Sequence, residues 1–234
     1  IAIPYNVSGI SNLRLSPTVI GEIFNGKITM WNDAKLVKLN PKVKLPAKKI
    51  SVVYRAKGSG TTNNFAAYLV SNKVAGWTQN DSFDIAAGTL PANKVGAPDS
   101  AGVSTGIDNT SYSIGYVDLS DAYNKDLNFA SVENKYKQGS KTVTEYVKPS
   151  VTAAQKFLAL QSPGADGFVK INHTKSVKGG YSLSLLTYLI APTAGGASSK
   201  AADVKKFVEY TLNTCAPAKA KGLYYVPVSG PLLT

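Results

Sequence analysis

The chain has 234 residues, and its 26 Lys and Arg against 14 Asp and Glu give a formal net charge of +12. Hydrophobic residues make up 44% and charged residues 17%, which is typical of folded globular proteins and excludes a disordered chain. The single cysteine, Cys215, excludes an internal disulfide framework and a cysteine-rich zinc site, and the single histidine, His173, excludes a multi-histidine metal centre. No apolar run approaches the roughly 20 residues that a membrane-spanning helix needs.

The positive charge is concentrated between Lys27 and Lys57, where nine basic residues stand against one acid, Asp33. Such a concentration favours an anionic partner, whether a small ion, an acidic polymer or a membrane surface. A solvated surface is the alternative interpretation. Nucleic acid is disfavoured as a partner, because few aromatic residues lie among the basic ones and no known module signature is present.

The first part of the chain predicts a strand followed by two helices and a second strand. Residues 1–7 predict the first strand. Ser16 and Pro17 provide a capping hydroxyl and a first-turn proline for a helix that ends at 25–26, an Asn-Gly pair. A shorter helix is expected to run from 31–33 to residue 39. The β-branched run at 50–54 predicts a strand buried on both faces.

The remaining patterns alternate between helix and strand. A helix is predicted over 65–70, followed by connections rich in Gly, Pro and Asn over 76–110 and a strand at 113–117. Further on, the patterns predict a helix at 151–160, a long apolar strand at 181–191 and an amphipathic helix at 203–214. This alternation indicates an α/β fold with a largely parallel sheet.

One segment carries a chemical signal, the loop between the strand at 50–54 and the next helix. Backbone amides at a helix N-terminus point outward and suit an oxyanion. Gly58 and Gly60 allow close approach of an ion, Ser59 and Thr61 add hydroxyl donors, and Arg55 offers a charged fork to two oxygens. We expect five or more donors to converge here. The alternative is a tight turn in which a hydroxyl only caps the helix.

Other sites are less well supported. The loop matches neither the nucleotide-binding Walker A pattern nor the dinucleotide fingerprint, and Ser59 lacks the flanking pattern of a hydrolase nucleophile. We expect His173 to be a surface histidine, with a catalytic base as the remote alternative. Asp118 and Asp121 are interpreted as a helix cap rather than as paired catalytic carboxylates. Cys215 is expected to be partly buried, or else to have a partner outside this chain.

The order of these motifs resembles the PstS-type phosphate-binding proteins of ABC transporters, in the periplasmic-binding-protein superfamily. The resemblance covers nearly the whole chain and is carried by six segments: Gly26–Asp33 with its Trp-Asn-Asp ending, Leu39–Pro41, Leu45–Pro46, Arg55–Thr61, Ile114–Val117 and the apolar run of 181–190. By motif match, the resemblance implies that Arg55, Ser59, Gly60 and Thr61 bind phosphate. It implies no catalytic residue, no metal and no cofactor, and therefore no enzyme.

Two departures from the family pattern affect these expectations. Lys57 stands where the family has an Asp that steadies the arginine, so Arg55 is expected to be less well held. No counterpart of the family's N-terminal segment precedes Ile1, and we expect it to have been lost from a longer protein; a natural short variant, completed by a swapped partner or used for interaction, is the alternative. That segment contributes to the phosphate site, including an Asp that discriminates protonated phosphate from sulfate. Phosphate and related oxyanions therefore both remain open as ligands.

The resemblance implies a type II-like periplasmic-binding-protein fold of two lobes joined by a two-strand hinge. Residues 9–178 would form a nearly complete lobe with the oxyanion loop, and 1–8 and 179–234 would supply the hinge crossings and part of the second, incomplete lobe. The implied function is extracytoplasmic capture of inorganic phosphate for a membrane ABC permease, as a periplasmic, lipid-anchored or secreted protein. Any signal peptide is expected to have been removed or never to have been part of this sequence. The alternative is a non-transporting surface or assembly protein that self-associates through an exposed sheet edge.

Overall fold

The computed structural model describes residues 1–191 and 198–232, which form a mixed α/β fold around two sheets. The larger sheet has five strands in the order β4-β3-β5-β1-β6. The three neighbouring strands β4, β3 and β5 run parallel, whereas β1 pairs antiparallel with β5 and β6. The strands span β1 Pro4–Asn6, β3 Ser51–Arg55, β4 Lys94–Ala97, β5 Ser113–Gly115 and β6 Asn128–Phe129.

The smaller sheet has three strands in the order β2-β7-β8. Its strands are β2 Arg14–Leu15, β7 Ser131–Gln138 and β8 Lys141–Val147. β2 runs parallel to β7, and β7 forms an antiparallel hairpin with β8 that places Val132 opposite Val147. The hairpin turns at Gly139, whose positive φ of 62° suits glycine.

Helices connect the strands, and several begin with a side-chain cap. Ser16, Asp33 and Ser150 accept hydrogen bonds from the first-turn amides of α1, α2 and α7. The helices are α1 Pro17–Phe24, α2 Ala34–Leu39, α3 Gly60–Ser71, α4 Phe83–Ala87, α5 Ser100–Asp108, α6 Leu119–Tyr123, α7 Val151–Leu158, α8 Ser198–Tyr210 and α9 Ala216–Lys219. In the described ranges, no helix has the length and apolar character required to cross a membrane.

The main core fills the space between the larger sheet and helices α1, α3 and α4, and aromatic rings dominate it. Phe65 stacks on Tyr116 with ring centroids 4.4 Å apart, and Phe24 meets Phe65 edge-on at 5.0 Å. Trp31 is fully buried and donates its indole N–H to the carbonyl of Tyr112 at 2.9 Å. The ring contacts of Phe65 hold α3, which follows the predicted oxyanion loop, against α1 and against Tyr116 just after β5.

The predicted α/β class is confirmed, and so are the predicted helices at α1, α2, α3 and α7 and the strand at β3. The sheet is less parallel than predicted, because β1 and β6 join it antiparallel. The stretch 76–110, predicted as connections, contains α4, β4 and α5, and the strands β6 to β8 were not predicted. These strands are short or half-exposed. They therefore lack the uninterrupted apolar run that predicts a buried strand.

The C-terminal part departs most from the sequence-based expectation. The predicted strand at 181–191 is not formed, and only Tyr181, Leu183 and Ser184 of this run are buried. The predicted helix at 203–214 is present as α8 followed by a π-helical turn at Thr211–Cys215, but its apolar residue Phe207 is 60% exposed. Beyond Ser184, no side chain that the structure describes is buried. The predicted lobe segment 179–234 also includes 192–197 and 233–234, which lie outside the described residues.

Candidate anion site

The candidate site lies where three parallel strands end and three helices begin. Arg55 is the last residue of β3, Ser100 the first residue of α5, which follows β4, and Asp118 the residue just before α6, which follows β5. The register pairs Arg55 with Ala97 and Val53 with Gly115, so the carboxyl ends of the three strands lie side by side. Open α/β sheets bind ligands at this edge.

The four residues predicted from the sequence lie together in one loop, residues 55–61, which we call the anion loop. Ser59 is the N-cap of α3, and its Oγ accepts hydrogen bonds from the amides of Thr61 at 3.2 Å and Thr62 at 3.4 Å. Ser59 therefore caps α3, which both interpretations of the loop allow. A capping hydroxyl uses its oxygen as acceptor, so its hydrogen remains able to donate to an anion.

Fewer donors are available in this loop than the sequence led us to expect. The amides of Thr61 and Thr62 are directed to Ser59, and the amide of Ser59 donates to the carbonyl of Asp81 at 3.0 Å. The Thr61 hydroxyl donates to both carboxylate oxygens of Asp118 at 3.4 Å. The amide of Gly60, at the open start of α3, has no acceptor among the described residues. A Cβ on Gly60 would meet no atom within 4 Å, so the space beside it is open.

Arg55 is the cation of the site and is only lightly held. Its Nη1 donates to Ser100 Oγ at 3.4 Å, while its Nε is buried without a hydrogen-bond partner in the described chain. No ion pair joins Arg55 to a carboxylate in that part of the molecule. Lys57 is exposed and forms no ion pair in the described chain. A buried N–H without an acceptor is costly, so a ligand that accepts from it would be favoured.

Tyr116 forms hydrogen bonds at both ends of the anion loop and so connects them. Its hydroxyl lies 2.6 Å from Thr62 Oγ1 and accepts a 3.4 Å hydrogen bond from the backbone amide of Arg55. Burial raises the pKa of Tyr116 to about 12, so the phenol stays neutral at physiological pH. The sequence indicated only a strand at this position. The phenol reaches the end of β3 and the start of α3 only because β5 pairs with β3, and that pairing is not visible in the local sequence.

Carboxylates border the site as well. Asp118 occupies the N-cap position of α6 but makes no capping hydrogen bond, so the cap interpretation of Asp118 and Asp121 is wrong for Asp118. Its carboxylate instead accepts from Thr61 and from Ser100 Oγ, the latter at 3.2 Å. Burial raises the pKa of Asp121, and Asp118 and Asp99 add to this rise, whereas Arg55 opposes it.

His173 lies apart from this site. It is only 4% exposed, packs between Tyr68 and Phe157, and its Nδ1 is 2.8 Å from the carbonyl oxygen of Ser182. The prediction of a surface histidine is therefore wrong; the polar neighbours Asn172 and Thr174 concealed its core position. Within the described ranges, no group of three or more His, Cys, Asp or Glu side chains is arranged to hold a metal ion.

Comparison with known proteins relates this chain to phosphate-binding proteins. Residues 1–214 match the family model of the PBP superfamily domain. The phosphate-binding protein PstS of Xylella fastidiosa is 29% identical over 222 residues, covering 92% of this chain and 57% of that protein. PstS 2 of Mycobacterium tuberculosis is 40% identical over 134 residues, covering 56% of this chain and 35% of its own length. The chain thus spans little more than half the length of the former and about a third of the latter.

Solved structures agree on the fold. A high-affinity periplasmic phosphate-binding protein, PfluDING, superposes with a TM-score of 0.69 at 22% identity, over 99% of this chain and 66% of its own. An ancestral soluble variant of the human phosphate-binding protein gives 0.70 at 19% identity, over 99% and 67%. At these identities the likeness concerns the fold. Together with the family match, it shows that the chain belongs to the PBP superfamily, among relatives of the PstS type.

Proposed function

We propose that this chain forms the anion-binding part of an extracytoplasmic solute-binding protein that captures inorganic phosphate and presents it to an ABC permease. The observation that carries the proposal is the buried Nε of Arg55, at the end of β3 just before α3, which has no hydrogen-bond partner among the described residues. The names of the relatives, all phosphate-binding proteins, support phosphate over other oxyanions.

In this proposal each residue of the anion loop has a defined part. Arg55 donates two N–H groups to two oxygens of the ion, and within the described ranges just one of its five N–H groups is already used. The Gly60 amide donates from the positive end of α3, and the Ser59 hydroxyl turns its hydrogen towards the ion. Thr61 can donate only if its hydroxyl turns away from Asp118. Capture requires no bond to break, so we propose a binding protein without cofactor or enzymatic activity.

We further propose the lobe division that the resemblance implies, with 9–178 as one lobe and 1–8 and 179–234 as hinge crossings and part of a second lobe. The C-terminal part of this division is supported by the distribution of buried side chains, which ends at Ser184 in the described part of the chain. Binding would close the two lobes over the ion by a hinge motion. The completed site would then also include groups from the opposing lobe.

The test is phosphate titration calorimetry on the full-length protein with Arg55→Ala. Removing the charged fork should weaken phosphate binding by about 100-fold, because a fully used guanidinium contributes strongly to ion binding. Lys57→Ala is the matched control: it removes one positive charge from the same loop but no ion pair of the described chain, and should change the dissociation constant less than about threefold. A change below threefold for Arg55→Ala would overturn the proposal.

A second candidate function rests on the apolar surface of the C-terminal part. Ile190 is 87% exposed, Leu223 61% and Phe207 60%, more apolar exposure than a surface without a partner usually carries. A non-transporting assembly protein would bury these side chains against another polypeptide. Sedimentation velocity would favour this candidate if the protein self-associates with rising concentration and phosphate neither changes the association nor gives heat.

A further inference from the structure

Arg55, Ser100, Asp118 and Thr61 form a continuous chain of hydrogen bonds beside the anion loop. Arg55 Nη1 contacts Ser100 Oγ at 3.4 Å, and Ser100 Oγ contacts Asp118 Oδ2 at 3.2 Å. The Thr61 hydroxyl reaches the same carboxylate at 3.4 Å from the other side. The four residues come from three different strand–helix junctions, so the chain of bonds ties together elements that are far apart in the sequence.

Chemistry fixes the direction of each bond. An ionised carboxylate only accepts, so the single hydroxyl hydrogen of Ser100 must be directed to Asp118. The oxygen of Ser100 is then left to accept from Arg55, which has donors only. Asp118 therefore sets the orientation of Ser100, and Ser100 in turn offers the only side-chain acceptor that Arg55 has among the described residues.

We propose that Ser100 is a positioning residue for Arg55 and that Asp118 orients Ser100; this inference rests on the proposed phosphate binding. Ser100 holds one edge of the guanidinium, while the buried Nε keeps its N–H without an acceptor in the described chain and so available to a ligand. The guanidinium would otherwise be held only through its own flexible stem, because no carboxylate pairs with it in the described chain. A guanidinium that is already held in its binding orientation loses less conformational entropy when the ion binds.

The experiment measures the dissociation constant of inorganic phosphate by calorimetry in the full-length protein. Ser100→Ala should raise it about tenfold, the loss expected for one charge-assisted contact. Ser100→Thr keeps the hydroxyl and should stay within about threefold of the unchanged protein. Ser104→Ala is the matched control, because Ser104 lies on the same helix α5, is fully buried and has a hydroxyl without a partner in the described chain.

Double variants separate positioning from a purely structural effect. In an Arg55→Lys background, Ser100→Ala should change the dissociation constant less than about twofold, because the fork that Ser100 holds is gone. The double variant Asp118→Asn with Ser100→Ala should raise the dissociation constant by less than the product of the factors for the two single variants. The inference is overturned if Ser100→Ala behaves like Ser104→Ala, or if it costs as much in the Arg55→Lys background as in the unchanged protein. If the unchanged protein binds no phosphate at all, the proposed function fails, and this inference with it.

Discussion

At the scale of single residues, His173 gives the clearest pH dependence. Burial between Tyr68 and Phe157 lowers the pKa of its imidazole, and the hydrogen bond to the Ser182 carbonyl opposes this only partly. In the unfolded chain the imidazole titrates near its ordinary pKa of about 6.5. As the pH falls below that value, the unfolded state binds a proton that the folded state does not yet bind. The free energy of unfolding therefore decreases from about pH 6.5 down to the lower pKa of the folded state.

We expect His173→Gln to be less stable than the unchanged protein at pH 8, because the ring packing and the bond to Ser182 are lost. Its free energy of unfolding should nevertheless fall less between pH 8 and pH 5, since no imidazole titrates. Urea unfolding at both pH values measures the two quantities. The carboxylates are common to both proteins, so their contribution cancels in the comparison. Equal pH dependence in the two proteins would contradict the assignment of this effect to His173.

The sequence predicts the position of some residues of the site but not of others. One group of site residues is close in sequence: Arg55, Ser59, Gly60 and Thr61. A glycine-rich turn before a helix is a local pattern that favours anion binding, so their assembly could be predicted. Ser100, Tyr116 and Asp118 reach the same place only because β4 and β5 flank β3 in parallel register. Pairing of strands that lie about 40 to 60 residues apart is not encoded in any local pattern. Nothing in the sequence alone placed these three side chains beside Arg55.

At the scale of elements, the capping of α3 links the site to stability. Ser59 Oγ accepts from two first-turn amides that would otherwise lack an acceptor inside the helix. Ser59→Ala should lower the free energy of unfolding by about 1 kcal/mol. In a chain of this size that corresponds to a melting temperature about 2–4 °C lower. Thermal unfolding in phosphate-free buffer measures this effect apart from ligand binding.

Ser82 provides the comparison for this prediction. It stands at the N-cap position of α4, but its side chain makes no capping hydrogen bond. Ser82→Ala should therefore change the melting temperature by less than about 1 °C, since surface substitutions away from such contacts have small effects. Equal losses in the two variants would show that the hydroxyl of Ser59 does not stabilise α3. The predicted helices that the structure confirms, α1, α2, α3 and α7, all begin with a side-chain cap, and a cap is a local signal.

At the scale of the whole molecule, the packed and unpacked parts of the chain are sharply divided. The buried residues run from Ala2 to Ser184, and both sheets lie within that range. The apolar run of 181–191 predicted a buried strand, yet burial requires a partner surface, and no described element supplies one beyond Ser184. Composition and periodicity indicate which residues prefer burial. They do not indicate whether another surface is present to cover them.

This division predicts where a protease will cut first. Phe207 and Tyr210 are 60% and 59% exposed in a segment without buried side chains, so local unfolding around them should cost little free energy. Phe168 is 56% exposed, but its carbonyl accepts a hydrogen bond from the Gly164 amide and its own amide donates to Asp166. Limited chymotrypsin digestion of the 234-residue chain, followed by intact mass, should therefore show cleavage at Phe207 and Tyr210 before Phe168. Early cleavage at Phe168 with 198–232 protected would contradict this picture, because it would show that another surface covers the C-terminal part.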